Sequence, residues 1–377
     1  MKIIISKSEF QSKLKLVSKI IQPNKINAAY DNFLFELNAG ILEVSAADES
    51  GWIKTTINYQ AVDEENTLFT INAKTLLEAI AQLPEQPITL TLTSKGTFNE
   101  VQLDYIGGHF SMLGGVYKGF EATTIPVTGE VQMPISSLGI LYGIKRTYFR
   151  AANDELRPVM NGVYLDQVGT TVTFVASDGG TLTMMEYFGD GTERSGVILP
   201  RKICKVLIDI IPPEDENIEY VVRGNNVVFQ HSLFTLSYRM IEGKYPNFRA
   251  VIPQDNNKKA TAERLALISL LKRVLVFCNK NSNLIKFTLS DGKLQVNAVD
   301  LDLSMSADET MPVEYKDKHM SIGFNGEYLL DLLINMQSSD SVCFLLSDPT
   351  RAVIVTDAEP TEGEKLTYII MPMAIND

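Results

Sequence analysis

Cysteine is scarce in this 377-residue chain, with three, and histidine and tryptophan are no commoner, with three and one. Cys204, Cys278 and Cys343 stand in apolar surroundings and none forms a Cys-x-x-Cys pair. That excludes a disulfide-stapled secreted fold and reads as buried thiols in a reducing, cytoplasmic compartment. His109, His231 and His319 are far apart, with no partner at ligand spacing, so neither a metal site nor a cofactor has support. No apolar run approaches the ~20 residues of a membrane span. The opening Met1-Lys2-Ile3-Ile4-Ile5-Ser6-Lys7 is too short in its apolar part for a signal peptide and reads as a first strand. Positive charge is also in deficit. The net charge is −12, which as an average argues against nucleic acid as a partner. With 45% hydrophobic and 21% charged residues, the composition is that of an ordinary soluble globular protein of two or three domains.

What the chain does have is a pattern that occurs three times: apolar-x-apolar-x-Ala-x-Asp. It reads Leu42, Val44, Ala46, Asp48, then Val172, Phe174, Ala176, Asp178, then Leu294, Val296, Ala298, Asp300. Alternation puts the apolar residues on one face of a strand, and the Asp stands where a turn can start. A stripe at i, i+3, i+4, i+7 follows each copy: Leu76, Ala79, Ile80, Leu83; Cys204, Leu207, Ile208, Ile211; Leu329, Leu332, Leu333, Met336. Each is the buried face of a two-to-three-turn helix. The chain is expected to be three copies of one α+β domain, bounded at 1–126, 127–253 and 254–377.

Linkers are expected at 123–129 and 253–259, where proline joins small or polar residues without periodicity. Helices are expected ahead of each repeated strand, at Ser8 to Ile21, Ser136 to Phe149 and Ala262 to Cys278, with Ser8 and Ser136 as N-caps. Asp291-Gly292 and Gly224-Asn225-Asn226 mark tight hairpins. Each domain then resolves into two βαβββ-like halves, giving six helices and about two dozen strands. Charge is segregated over that plan. The six helical segments hold fourteen Lys and Arg against six Asp and Glu, a net of +8, so the rest of the chain carries −20. Basic helices beside acidic strands are either good helix formers on solvated faces or one surface turned toward a polyanion.

Catalytic signatures are weak. Gly189 to Gly196 lacks the Gly-Lys-Ser/Thr ending of a phosphate-binding loop and reads as a long turn. Asp300 and Asp302 are expected to share the solvent face of a strand, and Asp178-Gly179-Gly180 is expected to be a turn whose glycines admit a close approach. No nucleophile–base pair has motif support.

Several strings, taken together, resemble the bacterial sliding clamp, the beta subunit of DNA polymerase III. They are Arg157-Pro158-Val159-Met160-Asn161-Gly162-Val163, Val175-Ala176-Ser177-Asp178-Gly179, Val197-Ile198-Leu199-Pro200-Arg201-Lys202 and Gly243-Lys244-Tyr245-Pro246-Asn247-Phe248-Arg249. Ile322-Gly323-Phe324-Asn325 and Tyr368-Ile369-Ile370-Met371-Pro372-Met373 complete the set in the last third. The resemblance spans the chain in order, the first third matching in pattern and spacing.

The resemblance implies a clamp fold of three repeated domains, helices inside and antiparallel sheets outside. It also implies a head-to-tail homodimer that rings duplex DNA without reading sequence, tethers the replicative polymerase and catalyses nothing itself. Twelve helices at ~10 Å spacing would enclose a hole roughly 28 Å wide, enough for a duplex on the order of 20 Å. By position, Lys25, Lys74, Arg150, Asp154, Arg201 and Lys202 would face DNA, with Lys145 and Arg146 beside them. Phe110 and Met112 of one copy would meet Val276 and Phe277 of the next. DNA polymerase III, the clamp loader and repair proteins would insert a short motif into a pocket of Met160, Ser177, Gly179, Leu182, Pro246, Val251, Asn325, Tyr328, Ile370, Met371, Pro372 and Met373. The family pattern has His-Arg where this chain has Gly180-Thr181, Arg where it has Ala250, and Arg-Leu at the end where it has Ala374-Ile375-Asn376-Asp377. The pocket rim has lost positive charge. Two other readings remain open: a β-rich repeat scaffold that binds proteins without encircling DNA, and a hydrolase using Asp178.

Overall fold

The computed structural model describes residues 1–22, 27–63, 65–96, 98–115, 132–188, 195–213, 217–336, 339–359 and 363–375. The expected linker at 123–129 and residues 189–194 of the glycine-rich turn lie outside them.

Every third repeats the order strand, helix, three strands, twice over. The first opens with β1 (Lys2–Ser6), α1 (Lys7–Ser18), β2 (Asn32–Asn38), β3 (Ile41–Ala47) and β4 (Gly51–Ile57). After a short extra strand, β5 (Gln60–Asp63), come β6 (Thr67–Asn72), α2 (Ala73–Ala81), β7 (Pro87–Ser94), β8 (Asn99–Tyr105) and β9 (Gly108–Gly114). The middle third has β10 (Gln132–Ser136), α3 (Ser137–Lys145), β11 (Gly162–Val168), β12 (Thr171–Ser177) and β13 (Thr181–Phe188). Its second half is β14 (Ser195–Pro200), α4 (Arg201–Ile210), β15 (Asn217–Arg223), β16 (Asn226–His231) and β17 (Phe234–Arg239). The last third has β18 (Lys258–Glu263), α5 (Arg264–Val274), β19 (Leu284–Ser290), β20 (Lys293–Asp300) and β21 (Met305–Pro312). It ends with β22 (Met320–Asn325), α6 (Gly326–Asn335), β23 (Ser341–Leu346), β24 (Val353–Asp357) and β25 (Glu364–Ile370).

The repeated strand is β3, β12 and β20, and all nine of its alternating apolar residues are buried. Burial of the stripes is complete in α6, where Leu329, Leu332, Leu333 and Met336 have no exposed surface, each stabilising by about 1.5–3 kcal/mol. Gly292 and Gly224 take φ of +67° and +56° in the two expected hairpin turns, where a side chain would be strained. Two expectations need correcting. The cap of α1 is Ser6, whose hydroxyl accepts from the Glu9 amide, and Ser8 lies in the first turn. Lys258 and Lys259, read as linker, begin β18, whose pairing with β23 recruits them.

Strands are exchanged between the two halves of each third. The strand before one helix joins the three strands after the other, as β6 with β2, β3 and β4, and β1 with β7, β8 and β9. These four-stranded sets then fuse edge to edge. In one compact body, residues 1–138 and 205–240, the sheet runs β10-β15-β16-β17-β4-β3-β2-β6. In the other, residues 139–204 and 241–377, it runs β14-β11-β12-β13-β25-β24-β23-β18. Both fusions follow one rule: the last strand of a second half (β17, β25) pairs antiparallel with the last strand of a first half (β4, β13). One strand of each kind ends its sheet among the described residues. They are β9 in the sheet β5-β1-β7-β8-β9 and β21 in the sheet β21-β20-β19-β22.

Cys204, Cys278 and Cys343 are free and buried. Burial pushes the Cys204 thiol up to about 12, well above the pH at which thiol reagents act through the thiolate. We therefore expect no thiol to react with a disulfide reagent at pH 8 in the native protein and three to react after unfolding; a fast native reaction would contradict this packing. No helix among the described residues is long and apolar enough to cross a membrane.

Candidate functional site

The Asp that closes each repeated strand does the same work three times. The Asp48 carboxylate accepts from the amides of Ser50 and Gly51 at 2.7 and 2.8 Å. Asp178 accepts from Gly180 and Thr181 at 2.9 and 2.7 Å and from the Thr181 hydroxyl at 3.0 Å. Asp300 accepts from Asp302 and Leu303 at 3.0 and 3.2 Å. These are turn-closing side chains. Asp300 is thus buried at the strand end and Asp302 lies in the turn, so they do not share a strand face as expected. Asp178 likewise spends its carboxylate on its own turn.

Only the middle turn opens into a cleft. Ser177 donates to the Thr181 carbonyl at 2.7 Å and accepts from the Gly179 amide at 3.1 Å. Gly179 has φ +94°, and a Cβ there would fall 2.6 Å from the Arg157 guanidinium, so glycine is required on two counts. Arg157 in turn donates to the Asp178 carbonyl at 3.2 Å and to Asp154 at 2.8 Å. That hydrogen bond, with the Leu156 amide, holds the Asp154 carboxyl below its ordinary value. The Met371 amide donates to the Gly180 carbonyl at 3.1 Å and fastens the end of β25 to the turn.

The cleft beside this turn has a volume of about 220 Å³. Leu182 and Ile369 are register partners across β13 and β25 and form its floor. Tyr245, Pro246, Phe248 and Val251 make one wall, and Met160 and Met371 lie at the rim. Tyr164 stacks on Tyr245 with centroids 4.9 Å apart and planes 6° apart, and Phe248 meets both edge-on. Rigid aromatics behind and flexible methionines in front suit an apolar anchor of variable shape. Burial drives the Tyr245 phenol pKa up, leaving it neutral at physiological pH.

Seven of the residues expected in a pocket line this cleft: Met160, Ser177, Gly179, Leu182, Pro246, Val251 and Met371. Five do not. Asn325 caps α6, accepting from the Tyr328 amide at 3.1 Å. Tyr328 carries the Arg150 guanidinium on its ring at 4.9 Å. Ile370 is buried in β25, on the face opposite Ile369. Pro372 is half-buried, and the Met373 amide donates to the Gly323 carbonyl at 2.8 Å. Sequence reasoning missed Gly180, Thr181, Tyr245, Asn247, Phe248 and Ile369 as lining residues. For Ile369 the signal was present. Given Met371, strand alternation selects residue 369 over 370.

The expected polyanion-facing residues divide. Lys74 is exposed on α2, 3.9 Å from Glu78, Lys145 is exposed at the end of α3, and Arg201 is exposed in the first turn of α4 with Lys202 half-buried beside it. Arg146 instead donates to Glu364 at 2.6 Å. Arg150 is 9% exposed, 3.2 Å from Asp331 and 3.7 Å from Asp178, with Phe149 and Tyr328 against its guanidinium. Both arginines are spent inside the protein, because the partners that hold them come from distant parts of the sequence. Lys25 lies outside the described residues. Phe110 and Met112 are half-buried on β9, while Val276 and Phe277 are exposed in the turn after α5. Among the described residues no three His, Cys, Asp or Glu groups are placed to hold a metal ion.

Six βαβββ units with exchanged strands, fused into shared sheets and carrying one peptide-sized apolar cleft, define a DNA-clamp fold. The chain belongs to the DNA polymerase III beta-subunit family. The family models for the N-terminal, central and C-terminal domains match residues 1–111, 138–247 and 249–374. It is 28% identical over 398 residues to the beta sliding clamp of Synechocystis sp., covering all of both chains. It is 24% identical over 374 residues to that of Pseudomonas aeruginosa, covering 96% of each. Among solved structures, the DNA polymerase III beta subunits of Pseudomonas aeruginosa and Thermotoga maritima superpose with TM-scores of 0.90 and 0.89. Their identities are 24% and 21%, with full coverage of both chains.

Proposed function

We propose that this chain is a sliding clamp: two copies close head to tail around duplex DNA and tether the replicative polymerase, without catalysing a reaction. The observation that carries this reading is the pair of sheet edges. The fusion rule is satisfied twice within the chain and leaves β9 and β21, one strand of each kind, at the ends of their sheets. A second copy supplies each with its missing partner, and closure removes edges that would otherwise invite aggregation. Phe110 and Met112 would then meet Val276 and Phe277. The three clamp domains would be 1–126, 127–253 and 254–377, each with two of the six helices.

DNA contact would be to phosphates, through exposed Lys74, Lys145, Arg201 and Lys202, with Lys25 and Asp154 at the same surface. The cleft would take a short partner segment with apolar anchors, from DNA polymerase III, the clamp loader or a repair protein. Its rim, with Gly180, Thr181 and Ala250, favours anchors over acidic groups. No cofactor is called for.

Retention on DNA tests the ring. Loaded clamps should persist on circular duplexes and run off linear ones at moderate salt; equal retention on both would overturn encirclement. For direct binding, Lys74→Ala and Arg201→Ala should each lower the slope of log affinity against log salt by about 0.9. Unchanged slopes would remove these residues from the DNA surface.

A further inference from the structure

The turn after the repeated strand is longer in the last third than in the other two. Asp48 is followed by Glu49-Ser50 before β4, and Asp178 by Gly179-Gly180 before β13. Asp300 is followed by four residues, Leu301 to Ser304, before β21. The added length is apolar and exposed. Leu301 and Leu303 are 85% and 67% accessible, and Val299 beside them is also exposed. The turn is nonetheless well held. Asp300 caps it, the Ser304 amide donates to the Leu301 carbonyl at 3.3 Å, and Asn279 donates to Asp302 at 3.3 Å. A fixed turn presenting two leucines to water is costly unless something covers them.

The repeat indicates what lies opposite. At both fusions within the chain, this turn accepts a hydrogen bond from the end of the neighbouring strand. The Arg239 amide donates to the Ser50 carbonyl at 2.8 Å and the Met371 amide to the Gly180 carbonyl at 3.1 Å. One residue earlier, Tyr238 pairs with Gly51 and Ile370 with Thr181. Hairpins β8–β9 and β16–β17 both turn in two residues, with Tyr105 opposite Gly108 and His231 opposite Phe234. Counting from there, Met112 and Leu113 stand where Tyr238 and Arg239 stand. Met305 and Ser304 stand where Gly51 and Ser50 stand, since Asp300 pairs with Met305. The same register between copies therefore pairs Met112 with Met305 and brings the Leu113 amide to the Ser304 carbonyl. Leu113 is 69% exposed and alternates with Phe110 and Met112 onto the other face of β9. Val299, paired with Ser306, has the matching outer face of β20.

We infer that the enlarged 301–304 turn is a latch between copies: Leu301 and Leu303, with Val299, cover Leu113 of the second copy on the outer side of the seam. This rests on the head-to-tail dimer proposed above and adds a second apolar layer to it, opposite the Phe110 and Met112 layer. The physical need is specific to this junction. The two other fusions are held together by chain connectivity, which acts as a high effective concentration, and manage with Glu-Ser and Gly-Gly turns. The junction between copies has only its buried area to hold it.

Dilution of the full-length protein, followed by analytical ultracentrifugation, tests the latch. Leu301→Ser/Leu303→Ser should dimerise at least about tenfold more weakly than the unsubstituted chain. Leu156→Ser, which removes an exposed leucine elsewhere, should not change the constant. If the unsubstituted chain dimerises and the double variant dimerises equally well, the latch is wrong while the dimer stands. A chain monomeric at every concentration overturns both. Register is tested separately by oxidation. Met112→Cys/Met305→Cys should crosslink two copies, and Met112→Cys/Ala307→Cys should not. The reverse pattern would overturn the alignment on which the latch depends.

Discussion

A Val251→Asp/Met371→Asp variant is expected to lose partner-peptide binding by more than about a hundredfold while remaining loaded on circular DNA as before. Both side chains stand at the mouth of the cleft and are about half exposed, at 56% and 48%. In the free protein the new carboxylates can therefore stay in water, and the fold has little reason to respond. A bound apolar anchor would cover them and strip their hydration with no cation among the lining residues to compensate. Fluorescence anisotropy with a labelled peptide from a clamp-binding protein measures the loss. Unchanged affinity would mean that partners dock elsewhere. Loss of both peptide binding and DNA retention would point to a damaged fold, and Val251→Ala/Met371→Ala would then give the milder, cleft-only effect.

Arg150→Ala is expected to destabilise the body formed by residues 139–204 and 241–377 by about 3 kcal/mol, within the range for breaking a buried ion pair. Its guanidinium neutralises Asp178 and Asp331 and lies against Phe149 and Tyr328. Truncation leaves two carboxylates without their cation and a space between rings. Because Asp178 closes the cleft turn, peptide affinity should fall with stability. Arg150→Lys should rescue little, since a compact ammonium cannot span two carboxylates and stack on a ring at once. Hydrogen exchange of β12, β13 and α6 follows the destabilisation. The contrasting result is a lower salt slope of DNA binding with unaltered exchange, and it would return Arg150 to the DNA surface.

Periodicity made much of this fold legible. The thrice-repeated strand, the helix stripes and the βαβββ order all follow from local alternation, and so does the turn at each Asp. What local patterns could not carry is pairing over distance. Nothing in Lys258 and Lys259 announces a strand until β23 is beside them, and Arg146 looks like a free basic residue until Glu364 arrives from the far end of the chain. The cleft was half legible for the same reason. Met160, Ser177 and Leu182 sit within strings that resemble the family. Tyr245 and Phe248 become lining residues only when the segment after β17 folds back over Leu182 and Ile369. Asp300 was misread because alternation counts positions and does not see that a strand has ended.

Strand exchange between halves also dictates an order of events during synthesis. Lys2 of β1 pairs with Thr91 of β7, so the first strand made must wait, unpaired along that edge, until its partner has left the ribosome. The wait at the middle sheet is longer. Thr181 opposes Ile370, so β13 stays an open edge until almost the whole chain has been translated. Long-range pairing of this kind folds slowly and exposes sticky intermediates. The nascent chain should therefore depend on chaperone protection of residues 181–188 more than on protection of any helix, and a ribosome stalled near residue 360 should display that edge.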